Sequence, residues 1–313
     1  MVETPPSHPL FDSAPGRSGG VTTDPADRFG LPADDREREL LDTLRDRLGP
    51  RMERNRIAFR PELLIRTYVG DFGIRPYGGT FWHSPDIWVA PGDPASTPAV
   101  PANPGGSPVV GQPHTLYAHV WNLGLAPLIG ATVEFLVFNP SIAFAGQAPL
   151  FRATARVDLA SRTSAAECHK LVKCPVAWVP ALVNGGHECL IVRASGVGDP
   201  LAPDHLEPAV DRKVAQRNIM VLPWGADVAP LLGQLGGTLP RGARLTFWLV
   251  GAGAQPIVDL VAPGRRATRA EDVQIGEPGR APAPGRGTAT VVHVQGRRDD
   301  EIVGGYTLVF VDK

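Results

Sequence analysis

Lysine and cysteine are both scarce in this chain of 313 residues. The lysines are Lys170, Lys173, Lys213 and Lys313. Arginine therefore supplies nearly all of the positive charge. The cysteines are Cys168, Cys174 and Cys189. Because they are odd in number and form no CxxC pair, we expect free, buried thiols in a reducing compartment rather than a disulfide framework.

Long apolar runs and a net charge of one sign are also missing. No hydrophobic stretch approaches the ~20 residues that span a bilayer, so we expect no membrane span. Residues 1–32 are polar and rich in proline and glycine, without the apolar region of a secretory signal, which predicts a cytoplasmic protein with leaderless export as the alternative. The net charge of −1 gives no general attraction to nucleic acid or anionic lipid, and we expect no nucleic-acid partner.

The common catalytic motifs are absent from the sequence as well. It contains no GxSxG, no HExxH and no paired CxxC. The segment that starts at Gly251 is glycine-rich, but it contains a proline and precedes neither a lysine nor a predicted helix. We therefore interpret it as a turn rather than a phosphate-binding loop. On these grounds we predict that the protein is not an enzyme, and we assign no catalytic residue, no cofactor and no metal ligand.

Two groups of residues leave a metal site open as an alternative. Thiols and imidazoles occur close together in the sequence, at Cys168, His169, Cys174, His187 and Cys189. Their convergence across strands would suit an accessory domain of a metal-dependent enzyme. Carboxylates occur in one predicted loop, at Asp199, Asp204, Glu207 and Asp211. Such oxygen ligands suit Ca²⁺, although their spacing does not match an EF-hand.

Two local clusters of arginine also stand out in the sequence. They are Arg51, Arg54, Arg56 and Arg60, and Arg265, Arg266 and Arg269. Acidic residues accompany both clusters, which favours solvated faces or contacts with an acidic partner over nucleic-acid binding.

Glycine and proline are the residues present in excess. The 35 glycines and 33 prolines make up about a fifth of the chain, against roughly 12% in average proteins. This excess argues against a mostly helical fold, whereas 43% hydrophobic residues are enough for a core. Short strands with alternating patterns recur after residue 60. In one of them Leu116, Ala118 and Val120 are predicted to face the core. Such a series predicts an antiparallel β-sandwich.

The chain divides into three predicted parts. Residues 1–59 form a flexible arm and an amphipathic helix, whose apolar stripe runs from Leu40 to Leu48. Residues 60–222 form the sandwich. Residues 223–313 form a smaller β-rich domain or extension, with strands that include 243–253, 256–263, 288–296 and 304–313. The predicted fold class is therefore all-β with one short N-terminal helix.

The middle of the chain resembles a CARDB-type bacterial immunoglobulin-like (cell-adhesion-related) domain. The similarity covers residues 84–222 and begins with SPDIWV, a proline-rich gap, and Trp121-Asn122-Leu123-Gly124. It continues with Trp178, GGHECLIVRAS and Asn218. The resemblance implies an immunoglobulin-like sandwich in which Trp178 fills the space between the sheets, and a structural protein that acts in protein binding or adhesion without catalysis. No cysteine lies in 114–121, so the disulfide of antibody domains is absent.

The sequence therefore predicts a non-enzymatic interaction or structural module of a bacterial assembly. It would bind a protein partner, or its own subunits, through the sandwich and the N-terminal arm. The alternative is a carbohydrate-binding module that uses exposed aromatic side chains around a glycine-rich turn. These aromatic and histidine residues are Tyr77, Phe81, Trp82, His83 and Trp88. The competing interpretation is that Trp82 and Trp88 cover one end of the sandwich.

Overall fold

A computed structural model describes residues 59–102, 108–139, 147–165, 167–180 and 189–312. The predicted arm and helix of residues 1–59, apart from Phe59, lie outside these ranges. His187 of the predicted metal cluster and Arg51, Arg54 and Arg56 of the first basic cluster also lie outside them.

The described part of the chain is mostly β-sheet with two short α-helices. The strands are β1 Leu63–Leu64, β2 Ile87–Pro91, β3 His114–Asn122, β4 Leu128–Phe138, β5 Phe151–Leu159, β6 His169–Lys173, β7 Cys189–Ser195, β8 Val214–Arg217, β9 Ile219–Pro223, β10 Arg244–Val250, β11 Arg266–Ala267, β12 Val273–Ile275, β13 Thr288–Arg298 and β14 Glu301–Val311. The helices are α1 Ala229–Gly237 and α2 Ala254–Val261, followed by a 3₁₀ turn at Pro278–Arg280.

Two antiparallel sheets form the sandwich that the sequence predicts. In sheet 1, β2 and β1 follow one another along one edge of β3, and β6 pairs with its other edge. Sheet 2 has the order β5-β4-β7-β8. In immunoglobulin nomenclature these sheets are A-B-E and C′-C-F-G, so the strand order itself establishes an immunoglobulin-like sandwich.

The core between sheets 1 and 2 follows the predicted alternation. Leu116, Ala118 and Val120 of β3 are buried in this core, which confirms their predicted direction. Trp178 lies in the same core and is 3% exposed, as predicted. Its backbone is held in place because Trp178 N donates to His114 O at 2.8 Å and His114 N donates to Trp178 O at 2.7 Å.

The turn after β3 is held by the side chain of Asn122. Asparagine tolerates a left-handed backbone, but Asn122 is not among the described residues with positive φ. Its buried side chain instead accepts from Glu62 N and Gly124 N and donates to Ala126 O and Ala160 O. A Cβ at Gly124 would lie 2.2 Å from Arg60 O, so this close backbone approach requires glycine.

The C-terminal residues form sheet 3 with one helix on each face. Its order is β12-β10-β13-β14-β9, and β11 also pairs with β13. The strand predicted at 256–263 is wrong, because α2 covers most of it and is followed by a turn. Ile257, Val258 and Val261 suggested a strand because they are β-branched. Their spacing, taken with Ala254, also matches the i, i+3, i+4, i+7 pattern of a helix that buries one face.

Sheets 2 and 3 share one hydrophobic core. Leu136 of β4 and Ile191 of β7 belong to the same buried cluster as Val292 of β13 and Leu308 of β14. Sheet 3 therefore covers the outer face of sheet 2, the face that points away from sheet 1. The predicted domain boundary between residues 222 and 223 stays a prediction. Strand β9, at Ile219–Pro223, pairs with β14 of sheet 3.

Candidate functional site

A groove of about 1000 Å³ opens where sheets 2 and 3 diverge. Its apolar lining includes Leu136 and Phe138 of β4, Phe81 and, from β14, Ile302. Three separate stretches supply most of the remaining lining: residues 147–152, 203–210 and 298–303. A concave surface with an apolar lining and a few polar groups is the usual form of a binding site.

The polar floor of the groove consists of two arginines on one glutamate. Arg193 Nε donates to Glu134 Oε2, and Arg152 Nε donates to Glu134 Oε1 at 2.6 Å. The Arg193 side chain is 8% exposed, whereas the Arg152 side chain is 59% exposed. These three groups carry a net charge of +1, and Arg152 is the one that faces solvent.

One wall of the groove is the FG loop, residues 196–213, which connects β7 and β8. Asp199 fixes its start, because its Oδ1 accepts from Lys213 Nζ at 3.1 Å and its Oδ2 accepts from Leu63 N at 2.7 Å. Pro203 and Pro208 stiffen the loop, because proline fixes φ. His205 Nε2 is buried and has no hydrogen-bond partner. The start of this wall is thus held by hydrogen bonds to Lys213 and Leu63.

The opposite wall is the end of the β13–β14 hairpin. Arg298 and Glu301 pair across the turn, with Nη2 and Oε2 3.3 Å apart. Asp299 has φ of 54°, a left-handed conformation that aspartate tolerates better than most residues. The described lining contains aliphatic, proline, aromatic, arginine, glutamine and carboxylate side chains together with His205, and no serine, threonine, cysteine, tyrosine or lysine.

The aromatic residues predicted around the glycine-rich turn do not form an exposed binding face. Trp82 is 0% exposed and Phe81 is 6% exposed. Trp82 lies against sheet 3, where its Nε1 donates to Thr307 Oγ1 at 3.1 Å. Tyr77 and Trp88 are partly buried, and the Tyr77 ring stacks on that of Tyr68. The structure therefore removes Trp82 as a carbohydrate contact, because tertiary packing on β14 buries it.

His83 and His293 form a second buried feature beside Trp82. Their ring centroids are 4.6 Å apart, and His83 Nε2 is hydrogen-bonded to Thr307 Oγ1. Burial lowers the pKa of His293 to about 4 and holds the pKa of His83 well below its usual value. The Nε2 atom of His293 is buried without a partner. Both rings are therefore neutral at pH 7 and add no charge to the face of sheet 3 on which Thr307 and Trp82 meet.

The thiols of the predicted metal cluster do not converge in the described structure. Cys174 lies in the core between sheets 1 and 2, and Cys189 lies in the core between sheets 2 and 3. Burial raises the pKa of the Cys174 thiol to about 11 and also raises that of Cys168. No group of three or more metal-ligating side chains occurs in the part of the chain that the structure describes.

The carboxylates considered for Ca²⁺ are also separated. Asp199 and Asp211 both face the Lys213 ammonium, with Asp211 Oδ2 3.8 Å from Nζ. Asp204 and Glu207 instead line the groove and are exposed. Asp199 and Asp211 are therefore held by an internal cation, the Lys213 ammonium.

The described arginines of the two basic clusters and the glycine-rich segment at Gly251 lie outside the groove lining. Arg60 is exposed and pairs with Glu62, Arg265 pairs with Asp312, and Arg266 and Arg269 are exposed. Contrary to the sequence prediction, a helix does follow Gly251, since α2 begins at residue 254. Gly251 N donates to Asp272 Oδ1 at 2.7 Å.

A buried ionic cluster on the outer face of sheet 1 escaped sequence analysis. Asp86, 0% exposed, accepts hydrogen bonds from Arg66 Nη2 at 2.6 Å and Trp121 Nε1 at 2.9 Å. His119 Nε2 lies 2.8 Å from His169 Nδ1, and His119 Nδ1 lies 3.8 Å from Asp86 Oδ1. The alternation of β3 did place His119 and Trp121 on this face. No sequence signal joins Arg66 to Asp86, 20 residues away.

The electrostatics of this cluster favour a structural role. Burial lowers the pKa of His119 to about 4, with a smaller contribution from Arg66 that is opposed by Asp86. Burial and Arg66 also lower the pKa of His169. At pH 7 the imidazoles are therefore neutral, and Arg66 and Asp86 compensate each other. The Arg66 guanidinium also lies 4.7 Å above the Trp121 ring, which adds a cation–π contact.

Comparison with known proteins identified similar solved structures but no family. No family model and no curated protein matches this chain. A CARDB domain from Pyrococcus furiosus, solved in complex with di-metal ions, is 16% identical with a TM-score of 0.23, and the match covers 47% of this chain and 95% of that one. A Mobiluncus mulieris adhesin with intramolecular disulfide, isopeptide and ester cross-links matches in two crystal forms.

The adhesin matches are 8% and 10% identical with TM-scores of 0.22, and they cover 72% and 73% of this chain and 98% of that one. TM-scores this low carry no argument about function. None of the helices in the described ranges has the length and hydrophobicity of a transmembrane segment. The chain is similar to a CARDB domain, the family that its sequence resembles, and its immunoglobulin-like fold rests on its own strand order.

Proposed function

We propose that this protein is a non-enzymatic interaction module of a bacterial assembly that binds a protein partner. The groove between sheets 2 and 3 is the main contact, and the N-terminal residues 1–59 are a second contact. The groove carries this proposal, because it joins an apolar lining to solvent-facing charges on Arg152, Asp204 and Glu207. An apolar centre with a polar rim is the usual composition of a protein interface.

The structure of the groove suits a segment of a partner chain. Its volume of about 1000 Å³ lies at the upper end of small-molecule sites and accommodates several side chains. The FG loop is braced by Asp199 and two prolines, so little conformational entropy is lost when a partner binds.

A matched pair of substitutions tests this proposal. Ile302→Asp places a charge in the groove lining, whereas Ile129→Asp makes the same change at a site that is 73% exposed on β4 and outside the lining. Tagged full-length chains carrying either change, and a chain without residues 1–59, would be used to capture proteins from the source bacterium. Cell and medium fractions would be compared by quantitative mass spectrometry.

We expect one partner to be enriched by the wild type and by Ile129→Asp. Its recovery should fall about tenfold or more with Ile302→Asp and also fall without residues 1–59. Thermal unfolding of each purified chain controls for folding. Equal recovery by the two aspartate variants would place the contact elsewhere and contradict the proposal.

A further inference from the structure

Among the residues that the structure describes, strand β5 pairs along one side only. It pairs with β4 in an antiparallel register from Leu128↔Leu159 to Val137↔Phe151, and it ends the order of sheet 2. In the described structure no backbone group of residues 151–159 bonds to any strand other than β4. The nine residues present an open edge of about 30 Å. Such an edge is a template for another strand.

The side chains of β5 alternate, so its two faces are already specified. Ala153 and Leu159 are buried in the core between sheets 1 and 2, and Ala155 and Val157 pack against that core. The outer face carries four exposed residues, which are Arg152, Thr154, Arg156 and Asp158. Because the inner face is fixed, an added strand must keep the same alternation, and only shifts by two residues are allowed.

The exposed sequence Arg-x-Thr-x-Arg-x-Asp is complementary to itself. An antiparallel two-fold pairing centred on Ala155 places Arg152 opposite Asp158 of the second copy, twice, and Thr154 opposite Arg156. A centre at Thr154 would instead oppose Arg152 to Arg156, and a centre at Arg156 would oppose two copies of Arg156. Opposite charges stabilise cross-strand pairs and like charges destabilise them. A centre at Val157 would also give two opposite-charge pairs, between Arg156 and Asp158, but it would overlap only residues 155–159. The charges and the full overlap of the nine residues of β5 together therefore select the register centred on Ala155.

The two charged groups have unused capacity for such a pair. Arg152 shares Glu134 with Arg193, and its side chain is 59% exposed. Asp158 Oδ1 accepts from Gly130 N at 2.7 Å, and its Oδ2 accepts no bond in the described residues. Gly130 O is also bonded by Arg156 Nη1 at 3.0 Å. These contacts are all with β4. They leave most of the Arg152 side chain exposed to solvent and Asp158 Oδ2 available on the described surface.

We propose that two copies of this chain pair antiparallel along β5 about a two-fold axis at Ala155. Their two four-stranded sheets become one continuous sheet. This contact between copies involves a strand edge, whereas the partner contact proposed above involves the groove. Arg152 belongs to both surfaces, whereas Asp158 does not line the groove. Asp158→Lys therefore separates a failure of the β5 dimer from a failure of partner binding.

Reciprocal charge reversal tests this pairing on the purified full chain. Asp158→Lys would place an ammonium group opposite Arg152 of the second copy, and Arg152→Glu would place a carboxylate opposite Asp158, so each variant alone repels itself. An equimolar mixture would restore two opposite-charge pairs in a heterodimer. Arg286→Glu, at an exposed loop position outside β5, is the control for a change of charge. Asp158→Asn keeps an oxygen for Gly130 N and serves if Asp158→Lys fails to fold.

Analytical ultracentrifugation and native mass spectrometry give the readout. We expect a wild-type dimer, a dimer dissociation constant raised about tenfold or more by each single reversal, and a heterodimer in the mixture. Hydrogen exchange should show the outward amides of β5 more protected at high than at low protein concentration. A wild-type monomer at all concentrations, unchanged dimers of both variants, or a mixture that stays monomeric would overturn the proposal.

Discussion

The contact between Trp82 and Gly305 gives the most quantitative prediction of this fold. Trp82 comes from the segment between β1 and β2, and its ring lies on the backbone of β14. A Cβ added at Gly305 would lie 2.1 Å from Trp82 Cζ2. Trp82→Ala removes a fully buried side chain and should cost about 3–5 kcal/mol. Gly305→Ala overpacks the same site and should cost about 1–3 kcal/mol.

The double variant should be no less stable than Trp82→Ala alone. Without the indole, the new methyl group at position 305 occupies the space that the ring has left. The interaction energy should therefore be about 1–3 kcal/mol in favour of the double variant. Gly78→Ala is the control, since a Cβ there meets nothing within 4 Å, and it should change stability by less than about 0.5 kcal/mol.

Equilibrium urea unfolding followed by far-UV circular dichroism measures the four variants and the wild type, and it does not depend on tryptophan fluorescence. Additive costs, or a Gly305→Ala variant as stable as the wild type, would show that Trp82 does not lie on β14. These stabilities also matter for any test of carbohydrate binding. Because Trp82 is buried, a loss of glycan retention in Trp82→Ala could result from unfolding, and the urea data distinguish the two.

Three further predictions follow from the other buried contacts. Between pH 6.5 and 4 the unfolded chain takes up a proton at His293 before the folded chain does, because burial lowers the pKa of His293 to about 4. This difference should lower stability by up to about 1.4 kcal/mol for each unit by which the pH falls. His293→Leu should abolish this contribution, as measured by urea unfolding across pH. Asp86→Asn should lower the free energy of unfolding by about 3–5 kcal/mol, because it leaves the buried Arg66 guanidinium without its carboxylate. The control, Glu62→Gln at an exposed pair, should lower it by under ~1 kcal/mol. Both values come from urea midpoints, and equal effects would contradict the burial of Asp86. The fragment 60–222 should aggregate and bind a hydrophobic dye, because it lacks the C-terminal residues that cover the outer face of sheet 2; a soluble, folded monomer would argue against the shared core.

The strands of the sandwich were predictable because their residues alternate locally. In β3 the apolar residues at 116, 118 and 120 repeat with a period of two, and the structure buries all three. The position of Trp178 was predictable from the resemblance to a CARDB domain, which implies a large side chain between the two sheets. The C-terminal helices were harder to predict. The β-branched residues of α2 favour a strand, and packing on sheet 3 decides for a helix.

The groove and the position of Trp82 depend on contacts between distant segments. The groove lining comes from residues 147–152, 203–210 and 298–303, and no local pattern joins them. The glycines next to Trp82 are typical of an exposed turn. Its burial results from Thr307 and Gly305, more than 220 residues further along the chain. Sequence periodicity reports the faces of single elements, so it cannot identify which faces meet.

Site-specific photo-crosslinking from the groove tests the proposed function most directly. A photoreactive phenylalanine derivative at position 302 would face the groove, and the same residue at position 129 would face solvent on β4. After irradiation in the source bacterium, we predict that one protein is cross-linked at position 302 and not at position 129. The same cross-linked proteins at both positions, or none at position 302, would contradict a protein-binding groove.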